Sequence, residues 1–258
     1  MAKTFDCFLF FNEFHLLDLR LRTLDDVVDT FVIVEAPWTF FGKLKPLLFK
    51  EFHDGFKPWL HKIRHIELSG ALPATIAWER EWASRNAMVE GLWDAEPDDW
   101  VFQSDCDEIW RPELKEAAPN DPVATYLQFH CYYHLNTPRS PHHAWRGTRR
   151  CKFTDYPGGQ RLRDSIGREI ENGGWHFSFL GSPEEASLKM RSFSHTEYSG
   201  DEWADPKRLA ALMAEGRDPI NPGAKYLPVP VDSTFPKPVL EDPGRWAKFL
   251  KPVPATPS

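Results

Sequence analysis

Hydrophobic positions along the first 110 residues alternate between two patterns. Short unbroken apolar runs, TFDCFLFF (Thr4 to Phe11) and FVIVE (Phe31 to Glu35), have the length and character of strands buried on both faces. Between them NEFHLLDLRLRTL sets Phe14, Leu17, Leu21 and Leu24 at helical spacing, with Asn12 as the candidate N-cap. KIRHIEL (Lys62 to Leu68) reads as a weaker third strand. Ala77 to Trp93 reads as a helix, with Trp78, Trp82, Ala83, Val89 and Trp93 near one side and the tryptophans predicted to pack on the sheet. DDWVFQS is a fourth strand, and it runs directly into three acids, Asp105, Asp107 and Glu108. This β-α-β order predicts a mostly parallel sheet flanked by helices.

The second half is more mixed. ATYLQFHCYYHLN reads as a long antiparallel strand with WRGTRRCKF as a partner, and GGWHFSFLG (Gly173 to Gly181) as a short strand bracketed by glycines. SPEEASLKMRSF carries a helix start: Ser182 as N-cap, Pro183 at the first position and Glu185 closing a capping box. DPKRLAALMAEG is a further helix stopped by Gly216. Ten of the 23 prolines then fall between Pro219 and Pro257. That run divides the chain into a domain over residues 1–218 and an extended, proline-rich tail over 219–258.

Composition narrows the class. A chain of 258 residues, 41% of them hydrophobic, makes one large domain or two small ones. No run approaches the roughly 20 apolar residues of a membrane span. The start carries Asp6, Glu13 and Asp18 and lacks a basic leader and cleavage site, so a soluble, cytoplasmic protein is expected. Four dispersed cysteines without a CxxC pair argue against structural zinc and a disulfide framework. The net charge of −7 argues against general nucleic-acid binding. Between Pro122 and Thr154, however, there is no acid, while Arg139, Arg146, Arg149, Arg150 and Lys152 accumulate. That patch is either an ordinary solvated face or a contact for a phosphorylated acceptor, DNA included.

Ligands of open α/β sheets bind at the carboxyl ends of the strands. Asn12, Glu13, Glu35 and the acids from Asp105 to Glu108 all fall on that edge. An Asp-x-Asp pair there suits a divalent cation with open positions for phosphate oxygens, although alone it is equally a solvated turn.

Five separated blocks resolve the ambiguity: FDCFLFFNEFHLLDLRLRTL, VVDTFVIVEAPWTFFGKLKPL, QSDCDEIWRP, GGWHFSFLG and KMRSFSHTE. Together, and in this order, they resemble glycosyltransferase family 17, the family of the β-1,4-mannosyl-glycoprotein 4-β-N-acetylglucosaminyltransferases. Cys106 and Trp110 depart from its pattern. The resemblance implies a GT-A-like α/β fold, a nucleotide-sugar donor (a UDP-sugar, with N-acetylglucosamine as the first sugar to try), inversion at the anomeric carbon and Mn²⁺ or Mg²⁺. It casts Asp107 as metal ligand, Asp105 as a partner to the metal or the ribose, and His176 and His195 as candidate late ligands. Glu108 either joins them or caps the turn. Glu197 is the first candidate for the base that takes the acceptor proton, with Glu171, Asp164 and Asp201 as alternatives. Around the donor, Glu35 is assigned to the base or ribose and Lys43, beside Gly42, to the diphosphate. Arg85 faces the nucleotide or pairs with Glu81 one helical turn away. Trp38 and Trp145 are candidate acceptor platforms. The acceptor class stays open: a glycan, a lipid-linked glycan or a modified nucleic-acid base. Two other classes compete, a nucleotide-sugar hydrolase and a non-catalytic nucleotide-sugar or glycan-binding module.

Overall fold

The computed structural model describes residues 2–69, 76–221 and 223–254, so positions 222 and 255–258 of the tail lie outside it. Strands β1 (Thr4–Leu9), β2 (Thr30–Glu35), β3 (Ile63–Glu67) and β4 (Trp100–Asp105) run parallel in the order β3-β2-β1-β4. Helix α1 (Phe14–Leu24) buries Leu16, Leu17, Leu21 and Leu24 against them, while α2 (Leu48–Phe52) and α3 (Ala77–Asn86) follow β2 and β3. The cap of α1 is Glu13 and not Asn12: its carboxylate turns back to accept the amides of Phe11 and Asn12, each at 3.1 Å.

The expected long helix to Trp93 ends at Asn86 and tightens into a 3₁₀ turn over Ala87–Leu92. Its tryptophans are not core. Trp78, Trp82 and Trp93 are 38%, 42% and 75% exposed, and the inner face of α3 is instead Arg80, Glu81, Ser84 and Arg85. A helix with charged residues on its inner face needs a polar space beneath it, because buried charge is tolerated only when paired or hydrogen-bonded.

The second half holds β5 (Glu108–Trp110), β6 (Val123–Tyr132), β7 (Arg139–Ser140), β8 (Trp145–Lys152) and β9 (Arg168–Ser178), and the sheet continues β4-β8-β6-β9-β5. The expected β6–β8 pairing is antiparallel, but β6 also runs parallel to β9, which begins well before the predicted glycines. The acidic corner fixes the shape of this half. From Asp105 to Glu108 the chain can span at most about 11 Å, whereas four strand spacings in a flat sheet need about 19 Å. The sheet must therefore curl until β5 returns to the end of β4. There the Glu108 carbonyl accepts the Thr148 hydroxyl of β8 at 3.2 Å.

Short helices complete the fold: α4 (Gly159–Asp164), α5 (Pro183–Met190), α6 (Asp201–Ala204), α7 (Pro206–Glu215), α8 (Lys237–Glu241) and α9 (Pro243–Trp246). The capping box of Ser182 and Glu185 forms as read, and Gly216 ends α7 at φ 66°. Strand β10 (Lys225–Tyr226) pairs with β7. The tail is less extended than its prolines suggested. Pro238 and Pro243 sit in the first turns of α8 and α9, where a missing N–H costs nothing. Val239, Trp246 and Phe249 join the same apolar cluster as Phe8, Leu17, Phe31, Phe102 and Trp110.

Candidate functional site

A cavity of about 520 Å³ opens at the carboxyl ends of the parallel strands, within the size range of small-molecule sites. Its floor is the acidic corner after β4. Arg20 of α1 holds that corner from below, donating to the carbonyls of Asp105 at 3.1 Å and Glu108 at 2.9 Å while its other nitrogens grip Asp6 at 2.7 Å. The backbone that presents Asp105 and Asp107 is thus fixed by a fully buried guanidinium.

Each acid of the corner has cationic partners, and Arg163 is shared between Asp105 and Glu108. Asp105 accepts from Arg85 at 3.1 Å and Arg163 at 3.4 Å. Burial opposes its ionisation, but the two guanidinium groups outweigh burial and hold its pKa below the ordinary value. Asp107 accepts from Lys189 of α5 at 2.6 Å and lies 3.5 Å from His176 Nε2. There too burial works against the anion, and Lys189 with His176 drives the pKa well below the usual carboxylate range. Glu108 is fully buried. It accepts the Asp105 amide at 3.0 Å, the Trp145 indole N–H at 2.6 Å and both terminal nitrogens of Arg163 at 2.6 and 2.8 Å. Glu108 therefore caps the turn and also aims Arg163 and Trp145 into the cavity.

Arg85 makes the expected pair with Glu81 on its own helix and also pairs with Asp105 at the cavity floor. Arg163 reaches the same carboxylate because α4 begins at Gly159, where a Cβ would lie 2.0 Å from the Arg85 carbonyl. Only glycine lets α4 pack this closely on α3. His176 closes the opposite wall in a cluster of three rings, 4.6 Å from Trp145 and 4.9 Å from His130, which lie 5.2 Å from each other.

Other candidates lie further out. His195 lines the cavity mouth beside Trp78, 4.8 Å away edge-on, and its Nδ1 is 2.9 Å from Glu197 Oε1. Glu197 itself is exposed and outside the cavity lining; its hydrogen bond to His195 lowers its pKa. Of the alternatives, Asp164 lines the cavity and accepts Gln160 at 2.9 Å, whereas Glu171 is exposed on β9 and Asp201 pairs with Arg191 at the surface.

Glu35 lies beneath the lining rather than in it. Its carboxylate is taken up by the amides of Leu48 and Phe49 and by Lys45 at 3.0 Å, so it caps α2. Lys43 is exposed beyond the lining, 5.7 Å from the Phe41 ring, and of the two lysines in this loop it is Lys45 that lines the cavity. Trp38 is 2% exposed, too buried to serve as an open platform, while Trp145 is half-buried at the wall. The basic patch is largely spent internally. Arg149 donates to the carbonyls of Ser165, Arg146 and Gly147, Arg150 to those of Ala117 and Ala118, and Arg146 and Lys152 pair with Glu169 and Asp98. Apart from Arg139 on β7, the patch lies on β8, an inner strand of the sheet, and strand alternation drives half its side chains inward.

Among the described residues no group of three or more His, Cys, Asp or Glu converges as a cage for a metal ion. Asp107 with His176 nevertheless offers one carboxylate and one imidazole on the same wall. Mn²⁺ or Mg²⁺ that arrives with a diphosphate needs only one or two protein ligands, the rest being water and phosphate oxygens. The donor set fits that kind of cation. It does not gather Asp105, which its arginines hold, or His195, which sits at the mouth.

The cavity therefore stands where open α/β sheets bind their ligands, at the carboxyl ends of the strands. The family profile described as glycosyltransferase family 17 matches residues 1–222, and the chain belongs to that family. The β-1,4-mannosyl-glycoprotein 4-β-N-acetylglucosaminyltransferases of Homo sapiens and Rattus norvegicus are each 34% identical to it over 106 residues, 38% of this chain and 20% of theirs. The match thus spans about a fifth of the length of these relatives. A crystal structure of a glycosyltransferase involved in the glycosylation of the major capsid of PBCV-1 aligns at 12% identity and a TM-score of 0.28, covering 66% of this chain and 81% of that one.

Proposed function

We propose that this protein is an inverting, divalent-metal-dependent glycosyltransferase, moving N-acetylglucosamine from a UDP-linked donor to a hydroxyl of a glycan acceptor. The observation that carries the reading is the floor of the cavity. Asp105 and Asp107 stand side by side there, ionised, with Arg85, Arg163 and Lys189 around them. The name of the matched relatives supports the choice of sugar.

Asp107 and His176 would hold the cation, which supplies charge neutralisation of the departing diphosphate. Arg85 and Arg163, braced by Asp105 and Glu108, stay fixed and face the donor's phosphates as preorganised donors. Trp145 closes the wall beside His176 and keeps water off the reacting face. At the mouth, His195 is the proton acceptor for the incoming hydroxyl: Nδ1 is held by Glu197 and the residue lines the cavity. Glu197 orients the ring and stabilises the imidazolium that forms. Glu197 is the poorer candidate for the base because it lies outside the cavity lining and its hydrogen bond to His195 lowers its pKa.

Calorimetric titration of UDP and UDP-N-acetylglucosamine, with Mn²⁺ and with EDTA, tests the reading on the wild type and Asp107→Asn. The expected result is Mn²⁺-dependent binding that the substitution abolishes in a folded protein. Equal binding in EDTA, or full binding by the variant, would overturn it.

A further inference from the structure

Asp105 and Asp107 are neutralised by different kinds of cation. Asp105 has two guanidinium groups, each itself held: Arg85 by Glu81, Arg163 by Glu108. Asp107 has a lysine, and Lys189 hangs between two acids, 2.6 Å from Asp107 and 3.8 Å from Glu13 Oε1. The far oxygen of Glu13 is fixed by the Phe11 and Asn12 amides, so this second carboxylate is already in place. Lysine carries a point charge on a flexible four-carbon stem and can exchange partners by rotation, whereas a planar guanidinium in a fork of carboxylates cannot.

From this asymmetry we propose that Lys189 is a resident place-holder on Asp107, displaced to Glu13 when a divalent cation enters. The inference rests on the metal-dependent reading above and adds to it a competitor and a receiving carboxylate. Without a cation, Asp107 would be a nearly buried, uncompensated anion, a costly state that Lys189 removes. When a divalent ion takes Asp107, the ammonium would face it across the same carboxylate. Glu13 is the acid that lets it leave without entering water. Asp105 keeps its arginines throughout, which leaves Asp107 as the one acid of the pair that becomes available.

The competition is measurable without donor or turnover. Free Mn²⁺ is titrated against protein by electron paramagnetic resonance for the wild type, Lys189→Met, Glu13→Gln and Asp107→Asn, each checked for folding by thermal melt. If the ammonium occupies Asp107 nine-tenths of the time, its removal tightens Mn²⁺ binding about tenfold. Glu13→Gln, which removes the receiving charge, weakens binding, and Asp107→Asn abolishes it. Should Lys189→Met not fold, Lys189→Gln serves, and Glu13→Gln leaves the Lys189–Asp107 pair intact. Unchanged or weaker Mn²⁺ binding on loss of Lys189 overturns the place-holder. If UDP binding is still Mn²⁺-dependent and lost in Asp107→Asn, the metal-dependent reading survives that result. If no variant takes up Mn²⁺ and UDP binds equally in EDTA, both fall.

Discussion

Two ion pairs in this molecule look alike by distance and differ in everything else. Arg20–Asp6, at 2.7 Å, is fully buried on both sides. Arg20 bonds both oxygens of Asp6, the Ser104 hydroxyl and the carbonyls of Asp105 and Glu108, while Asp6 also accepts the Trp110 indole at 3.0 Å. Asp107–Lys189, at 2.6 Å, lines a cavity, and among the described residues its ammonium has one further acid within ion-pair distance, Glu13 at 3.8 Å. A saturated pair has no capacity left for a ligand and can serve only to hold structure. An under-saturated pair facing open space holds charge in reserve. The contrast teaches that partner count and access to a cavity, rather than distance or burial alone, separate a structural charge from a functional one.

Breaking each pair should sort the two roles. Arg20→Met leaves Asp6 buried and frees the carbonyls of the acidic corner; a loss of about 3–5 kcal/mol is expected from such an uncompensated charge. A fall in the denaturant midpoint with unchanged slope would register it. Asp107→Asn should change stability by no more than about 1 kcal/mol, since the amide still accepts from Lys189. A destabilisation as large as that of Arg20→Met would collapse the distinction. Glu108→Gln sharpens it from between. Glu108 touches both the Arg20-held corner and the cavity arginine, so the variant should lose stability and donor affinity together, each by roughly 1–3 kcal/mol.

The structural pair was half legible and the functional one was not. Continuous apolar runs gave β1, β2 and β4, because strands buried on both faces leave that mark, and the capping box of α5 and the Gly216 stop are local chemistry. Asp105, Asp107 and Glu13 could be placed on the right edge by strand order alone. Lys189 and Arg163 could not. Arg163 lies in a short stretch with no motif, Lys189 opens the KMRSFSHTE block without a role of its own there, and both acquire meaning only when a curled sheet brings α4 and α5 to the corner. The Gly158-Gly159 pair before α4 was the single local sign of a close approach. The inner face of α3 misled for the same reason: aromatic spacing pointed to the sheet, but the cavity claimed the charged side. Strand direction was also hidden, since nothing local distinguishes the parallel β6–β9 pairing from an antiparallel one.

A third charge pair, at the mouth, is weaker than either. His195 and Glu197 are about half exposed, and Glu197→Gln removes orientation rather than the proton acceptor. The expected effect is a drop in kcat of about tenfold with donor affinity unchanged, against about 10²–10⁴-fold for His195→Ala. Equal losses in the two variants would return the role of base to Glu197.

The smallest effect belongs to a pair as well bonded as Arg20–Asp6 but lying near water. Asp94 accepts from Arg64 at 2.6 and 2.8 Å and from Lys3 at 3.3 Å. The Arg64 hydrogen bonds, ahead of burial, bring its pKa down to about 2. A folded-state pKa below the unfolded value means the stabilisation is fully present above about pH 4 and is lost as pH falls toward 2. With a quarter of the side chain exposed, solvent screening limits it to under about 1 kcal/mol. Asp94→Asn should therefore flatten the stability profile between pH 4 and 2 slightly while leaving stability at neutral pH lower by the same small amount. A loss as large as that of Arg20→Met would mean that bonding geometry alone sets the worth of an ion pair here, and burial adds nothing.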